Sequence, residues 1–254
     1  LIDCLPSIRY LTYHTQKHTH TRARSRTRTR ELQFLIKEQQ FENAKQVLEQ
    51  AKKQGMAVEK INNLESELLH QIQTDNLNRE MHRQALLDNL LGHYQNGRFD
   101  DAEKLGISIT QDFPKHQFAW KVLGAVLGAS GKKSEALEAN QTAVALSPQD
   151  AAARNNLGIS LHELGRLDEA EASYRQAIVL QPNYAEAYNN LGNTLQELGR
   201  SDEAETNFRQ ALSLKPDYAE AHRNLGNTLH ELDRLDEALA SYTQAIEKST
   251  QDAE

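Results

Sequence analysis

The sequence predicts an all-α fold, a solenoid of antiparallel helix pairs behind a helical N-terminal extension. Three observations carry that prediction. Alanine, leucine, glutamine and glutamate dominate, while the 254 residues include only 5 prolines and 6 % aromatics; such a mix favours helix over strand. Aligned on itself at 34 residues, the chain brings four columns into register: Leu157, Leu191 and Leu225; Gly124, Gly158, Gly192 and Gly226; Ala102, Ala136, Ala170, Ala204 and Ala238; Pro114, Pro148, Pro182 and Pro216. A repeat of that period is the mark of helix–turn–helix units. Within one unit, Tyr188, Leu191, Leu195 and Leu198 recur at the spacing of a helical stripe.

The elements follow in chain order. Residues 1–30 carry a net charge of about +6, and the remainder carries -13. The stretch HTQKHTHTRARSRTRTR has no apolar face in either period, so 1–30 is expected to be a disordered basic tail. Its His14, His18 and His20 lack a cysteine or carboxylate cluster to complete a metal site. Arg24, Arg26, Arg28 and Arg30 could neutralise phosphates, which leaves nucleic-acid contact by the tail as a lesser alternative to an inert leader. The acidic body does not suit a nucleic acid. Cys4 stands alone, so no intramolecular disulfide exists.

Residues 31–82 form the helical extension. Residues 31–54 resemble a degenerate hairpin, with Ala44, Leu48 and Ala51 on one stripe. Residues 57–80 read as one amphipathic helix along Val58, Ile61, Leu64, Leu68, Ile72 and Leu77, expected to cap the solenoid, with a short coiled coil as the alternative.

Five units then occupy 83–116, 117–150, 151–184, 185–218 and 219–252. In 185–218 a first helix ends at Gly199, where a residue without Cβ can adopt a left-handed conformation. A second helix starts at Arg200–Ser201 and presents Ala204, Phe208 and Ala211 inward. Asp202 is expected to cap its free amides, as Asp168 and Asp236 would in their units. Pro216 prevents continuation. Gly192 and Ala204 are expected to face each other where the helices approach closely. The unit 83–116 is irregular, because Gly92 and Gly97 stand closer than Gly158 and Gly165. Asp233 replaces the turn glycine in the last unit, and aspartate tolerates the left-handed region better than most residues.

The chain carries no phosphate-binding glycine loop, nucleophile elbow, paired-histidine zinc motif or Cys-x-x-Cys. No cofactor, metal or catalytic residue is expected. No apolar run of membrane-spanning length and no secretory signal are present, so a cytoplasmic setting is the expectation.

A solenoid instead offers a groove lined by its first helices. Asn155 and Ile159, then Asn189 and Asn193, then Arg223 and Asn227 are placed there, and Asn156, Asn190 and Asn224 form a further column. Asparagine is a mediocre helix former, so its recurrence needs a reason. Its amide both donates and accepts, and a column of amides could hold an extended peptide backbone or could bond repeat to repeat. Glu163, Glu186, Glu197, Glu220 and Glu231 surround these amides, which favours neutral or basic polypeptides over acidic ones.

The units NNLGISLHELGRLDEAEASYRQAIVLQPNYAEAY and NNLGNTLQELGRSDEAETNFRQALSLKPDYAEAH resemble the tetratricopeptide repeat family, over about 83–252. That resemblance implies a right-handed superhelix serving as a scaffold or substrate-holding arm. The nearest likeness is to the repeat region of protein O-linked N-acetylglucosaminyltransferases and bacterial repeat-bearing transferases, where an inner asparagine column grips the substrate polypeptide. Asn156, Asn190 and Asn224 match that column, whereas Val122 departs from it. No glycosyltransferase or sulfotransferase domain follows the repeats within this chain. A second branch clamps chaperone C-termini with lysine, asparagine and arginine; Lys121 and Asn156 match, but Ala125, Glu186 and Asn190 do not. The resemblance implies a non-enzymatic interaction scaffold or, alternatively, the substrate arm of a larger transferase. The last unit ends where a polar capping helix would begin, so Leu225, Leu229 and Leu232 are expected to be exposed and to serve self-association unless the chain is truncated.

Overall fold

A computed structural model describes residues 27–251, and all regular structure among them is helical. Cys4, His14, His18, His20, Arg24 and Arg26 lie outside the described residues. The chain divides into two compact units after Gln84.

In the first unit, α1 covers 27–37 and α2 covers Phe41–Lys53. Residues 27–30, assigned by sequence to the tail, are therefore helical. Leu32 and Ile36 of α1 are buried with Ala44 and Leu48 of α2, so the hairpin's apolar residues draw the preceding turn into the helix. The same cluster takes in Ile61, Leu64 and Leu68 of α3 (Val58–Gln95). The stripe of the expected capping helix is thus spent on its own hairpin. Val58 and Leu77, placed on that stripe by sequence, are 72 % and 60 % exposed. Helix α3 also runs without a break through the expected end at 80 and the start of the first repeat at 83. Neither glycine nor proline occurs between Gly55 and Gly92, so nothing stops it.

In the second unit the helices alternate at a regular period. First helices are α5 (Gln117–Ala129), α7 (Ala151–Glu163), α9 (Ala185–Glu197) and α11 (Ala219–Glu231). Second helices are α4 (Phe99–Asp112), α6 (Lys133–Leu146), α8 (Leu167–Leu180), α10 (Ser201–Leu214) and α12 (Leu235–Gln251). Gly97, Gly131, Gly165 and Gly199 turn the chain between partners with φ of 69–76°, and Asp233 makes the same turn at 61°. Gly97 keeps the register of the first repeat. Gly92 is not the misplaced member of a distorted unit, since a β-carbon there would touch nothing within 4 Å.

Close packing within each pair depends on size exchange. A β-carbon at Gly192 would stand 2.6 Å from the Phe208 ring, and one at Gly226 would meet the Tyr242 ring equally closely. Gly158 faces Tyr174 in the same manner. The partner of Gly192 is therefore Phe208 and not Ala204, because the ring reaches across the gap that the glycine leaves. In the first repeat the sizes are reversed: Leu90 occupies the glycine column, and Gly106 supplies the room on α4. Alanines 102, 136, 170, 204 and 238 are buried in the second helices.

Charged residues tie successive second helices together. Arg200 donates to Glu203 in its own first turn and reaches back to Glu171 on α8 at 2.8 and 2.9 Å. Arg234 bridges Glu237 and Glu205 likewise. Among the described residues Arg166 pairs only with Glu169, since the position preceding Glu171 by one repeat is Leu137. These bonds revise the expected caps. Asp168 and Asp202 are not the N-caps of their helices, because those positions in α8 and α10 are Arg166 and Arg200, neither of which makes a side-chain cap. The acidic first turns act through the helix dipole and the arginines.

The last repeat also differs from expectation. Leu225 and Leu229 are 6 % and 1 % exposed, because they pack with Leu191 and Leu195 of α9, Phe208 of α10 and Ala238 of α12. The exposed apolar residues are Leu235, Leu239 and Ile246 on α12, the second helix of the final pair.

Candidate functional site

The asparagines expected to line a groove lie on the first helices, and the structure divides them by use. Asn155, Asn189 and Asn224 are buried at 4 %, 0 % and 7 % exposure. Asn190 Nδ2 donates to Asn155 Oδ1 at 3.0 Å, and Asn224 Nδ2 donates to Asn189 Oδ1 at 3.1 Å. Each bond joins one first helix to the next. Asn189 Nδ2 in turn donates to Glu220 at 3.3 Å. A buried amide must find partners inside the protein, and these find each other. Asn156 and Asn193 are half-buried, and their side chains make no hydrogen bond among the described residues. Arg223 and Asn227 are exposed, with Asn227 Oδ1 accepting from the Tyr242 hydroxyl at 2.9 Å.

The carboxylates of this face are distributed over three helices, α7, α9 and α11. Glu197 stands 3.0 Å from His162 Nε2. Glu186 lies 3.8 Å from Lys215, and Glu231 accepts from Gln196 at 2.8 Å. Glu163 has no basic partner for its carboxylate among the described residues. Burial first, and then Glu163 and Glu197, push the Tyr174 hydroxyl above its ordinary pKa. Burial, Glu220 and Glu186 do the same for Tyr218. Both therefore stay neutral.

Lys121, which matches a chaperone-tail clamp, is committed elsewhere. Its ammonium lies 2.8 Å from Asp150. Asp150 also accepts from the Ala153 amide at 3.0 Å and from Gln117, making it a true N-cap of α7. Burial works to raise this carboxyl's pKa, but the Lys121 and Ala153 hydrogen bonds hold it below the usual value. Among the described residues no cluster of three histidines, cysteines or carboxylates could hold a metal ion. No described helix is long and apolar enough to cross a membrane.

Paired helices of constant length, a glycine turn and a glycine–aromatic contact define a repeat class, and family models agree. One Tetratricopeptide repeat model matches residues 149–217, and a second matches 87–151 and 189–253. The chain belongs to the tetratricopeptide repeat family. Among solved structures it is similar to TTC0263, a thermophilic tetratricopeptide repeat protein in Thermus thermophilus. The two are 28 % identical with a TM-score of 0.60, over 67 % of this chain and 93 % of that one. A crystal structure of MamA is 25 % identical with a TM-score of 0.56, over 64 % of this chain and 95 % of that one. PilF of Pseudomonas aeruginosa shares the fold at 22 % identity and a TM-score of 0.62, over 67 % of this chain and 78 % of that one. No curated protein matches the chain in sequence.

Sequence reasoning passed over one residue of this tetratricopeptide repeat array. Asn140, on α6, is 2 % exposed and faces Gly124 where the later repeats place an aromatic ring. Its signal was legible: the column Asn140, Tyr174, Phe208 and Tyr242 breaks only at its first member.

Proposed function

We propose that this chain is a non-enzymatic protein-interaction scaffold that holds an extended, neutral or basic polypeptide along its first helices. One observation carries the reading. Asn156 and Asn193 carry half-accessible amides with no side-chain partner among the described residues, on first helices that also bear Glu163, Glu186, Glu197, Glu220 and Glu231. Amides of this kind pair with a peptide backbone whatever its side chains, and the carboxylates select against acidic chains. Asn155, Asn189 and Asn224 support the face by locking neighbouring first helices together; Asn190 joins that ladder while remaining half-accessible, and Arg223 and Asn227 extend the face to the last repeat. The narrower reading, a substrate arm of an O-linked N-acetylglucosaminyl- or sulfotransferase, rests on the Asn156, Asn190 and Asn224 column alone, and two of those three amides are engaged between repeats.

Leu235, Leu239 and Ile246 give α12 an exposed apolar face against which a second copy could pack, and sedimentation across a concentration series tests that. A cytoplasmic setting remains part of the proposal. For the main reading, an immobilised peptide array of neutral, basic and acidic sequences is probed with the protein. Neutral and basic peptides should be retained, and Asn156→Ala with Asn193→Ala should abolish retention while helicity is unchanged. Preferential retention of acidic peptides, or indifference to both substitutions, would overturn the proposal.

A further inference from the structure

The repeat 117–150 departs from its neighbours at two places that meet in space. At its floor, Asn140 replaces the aromatic residue that Tyr174, Phe208 and Tyr242 supply elsewhere. At its surface, α5 presents Ala125, Gly128 and Ala129, where α7 presents Ile159, His162 and Glu163 and α9 presents Asn193, Gln196 and Glu197. Together the small residues and the short amide border a cleft of about 210 Å³ between α5, α7 and the end of α3.

The cleft has a definite chemistry. Tyr94 and Ile159 supply apolar walls, Glu163 supplies a carboxylate, and Asn140 lines the interior. The Asn140 Nδ2 is satisfied, donating to Ser160 Oγ at 2.9 Å and to the Asn156 carbonyl at 3.3 Å. Its Oδ1 is buried and has no partner. That oxygen packs into the space beside Gly124, where a β-carbon would stand 2.2 Å from it, so it belongs to the helix contact, and the acceptor open to the cleft is the Glu163 carboxylate. Lys133 lies close by, but it donates to the Glu163 main-chain carbonyl at 3.0 Å and leaves the carboxylate unpaired among the described residues. The site therefore offers a carboxylate, an aromatic ring and an aliphatic wall, and among the described residues no cation pairs with that carboxylate.

We infer that this cleft is a specificity subsite that takes one arginine side chain of the bound polypeptide. The inference rests on the polypeptide-holding role proposed above and names the residue that role would select. Arginine fits each surface. Its aliphatic stem packs against Ile159 and the α5 alanines, and its planar guanidinium stacks on Tyr94. Its several N–H groups can meet the Glu163 carboxylate in a two-pronged, charge-assisted contact. A lysine ammonium would satisfy Glu163 but gain little from the ring.

The test uses the full chain, isotopically labelled for amide NMR, and N-acetyl-arginine-N-methylamide as probe. Shifts should concentrate at Gly128, Ile159 and Glu163, and the corresponding lysine probe should bind less tightly. Glu163→Gln should weaken the arginine probe about tenfold, the loss of one charge-assisted contact. Gly128→Leu should block the cleft without unfolding the helix, since a β-carbon there meets nothing within 4 Å. Absence of shifts at these amides, or undiminished binding by both variants, would overturn the subsite. Peptide retention on the array that is indifferent to arginine content, with no cleft shifts, would remove the subsite and leave the scaffold reading standing. Cleft shifts without any retained peptide would keep the arginine site and remove the scaffold reading.

Discussion

Replacing Gly192 with alanine opposes two effects of known sign. In a helix, alanine is favoured over glycine by roughly 1 kcal/mol. The added methyl would stand 2.6 Å from a Phe208 ring that is fully buried in the core of the later repeats. Overpacking of that kind costs about 1–3 kcal/mol. Three ring atoms fall within 2.8 Å of the new carbon, so the upper part of that range applies and a net loss of about 1–2 kcal/mol is expected. Gly92→Ala is the matched control. No atom lies within 4 Å of its β-carbon, so only the propensity gain remains, up to about 1 kcal/mol. Urea unfolding followed by far-ultraviolet circular dichroism reads the sign. Because repeats unfold partly by neighbourhood, amide exchange at α9 and α3 should be read beside it. Gly192→Ala should lower the midpoint and Gly92→Ala should raise it, and Phe208→Leu should relieve the first by restoring space. A Gly192→Ala protein as stable as the parent would refute the size-exchange account of the glycine column.

Three further outcomes are expected. Arg200→Ala should destabilise the array more than Arg166→Ala does in parallel thermal melts, because only the former leaves the buried Glu171 with a single remaining arginine, Arg175. Asn189→Ala should cost about 1–3 kcal/mol in urea titration, since it strands the Asn224 amide that it accepts from. The Asp150 carboxyl titrates below its ordinary value in the folded chain. Its contribution is therefore complete above the unfolded pKa of about 3.9 and disappears as pH falls through the folded value. Asp150→Asn should lower stability near neutrality, and the gap to the parent should close in an acid titration.

Legibility varied with the range of the interaction involved. The helix pairs, their turns and the run of α5 to α12 could be read directly, because apolar periodicity, Gly199-type turns and Pro216-type stops act within a few residues. Asp233 was legible for the same reason: a left-handed turn is a local demand. The continuity of α3 was also written in the chain, as the lack of any glycine or proline between Gly55 and Gly92.

The sequence by itself determined the fold class and the repeat. Only the tertiary structure decided partnership. Whether Gly192 meets Ala204 or Phe208 depends on how far a ring reaches across the gap between two helices. Whether Asn190 serves a ligand or Asn155 depends on the distance between successive first helices, which no local pattern encodes. The exposed apolar residues of the last repeat lie on α12 and not α11 for the same reason, since covering is a relation between elements. Periodicity in a chain reports which residues are equivalent; packing reports which of them touch, and the candidate site on this protein is made of the second kind of fact.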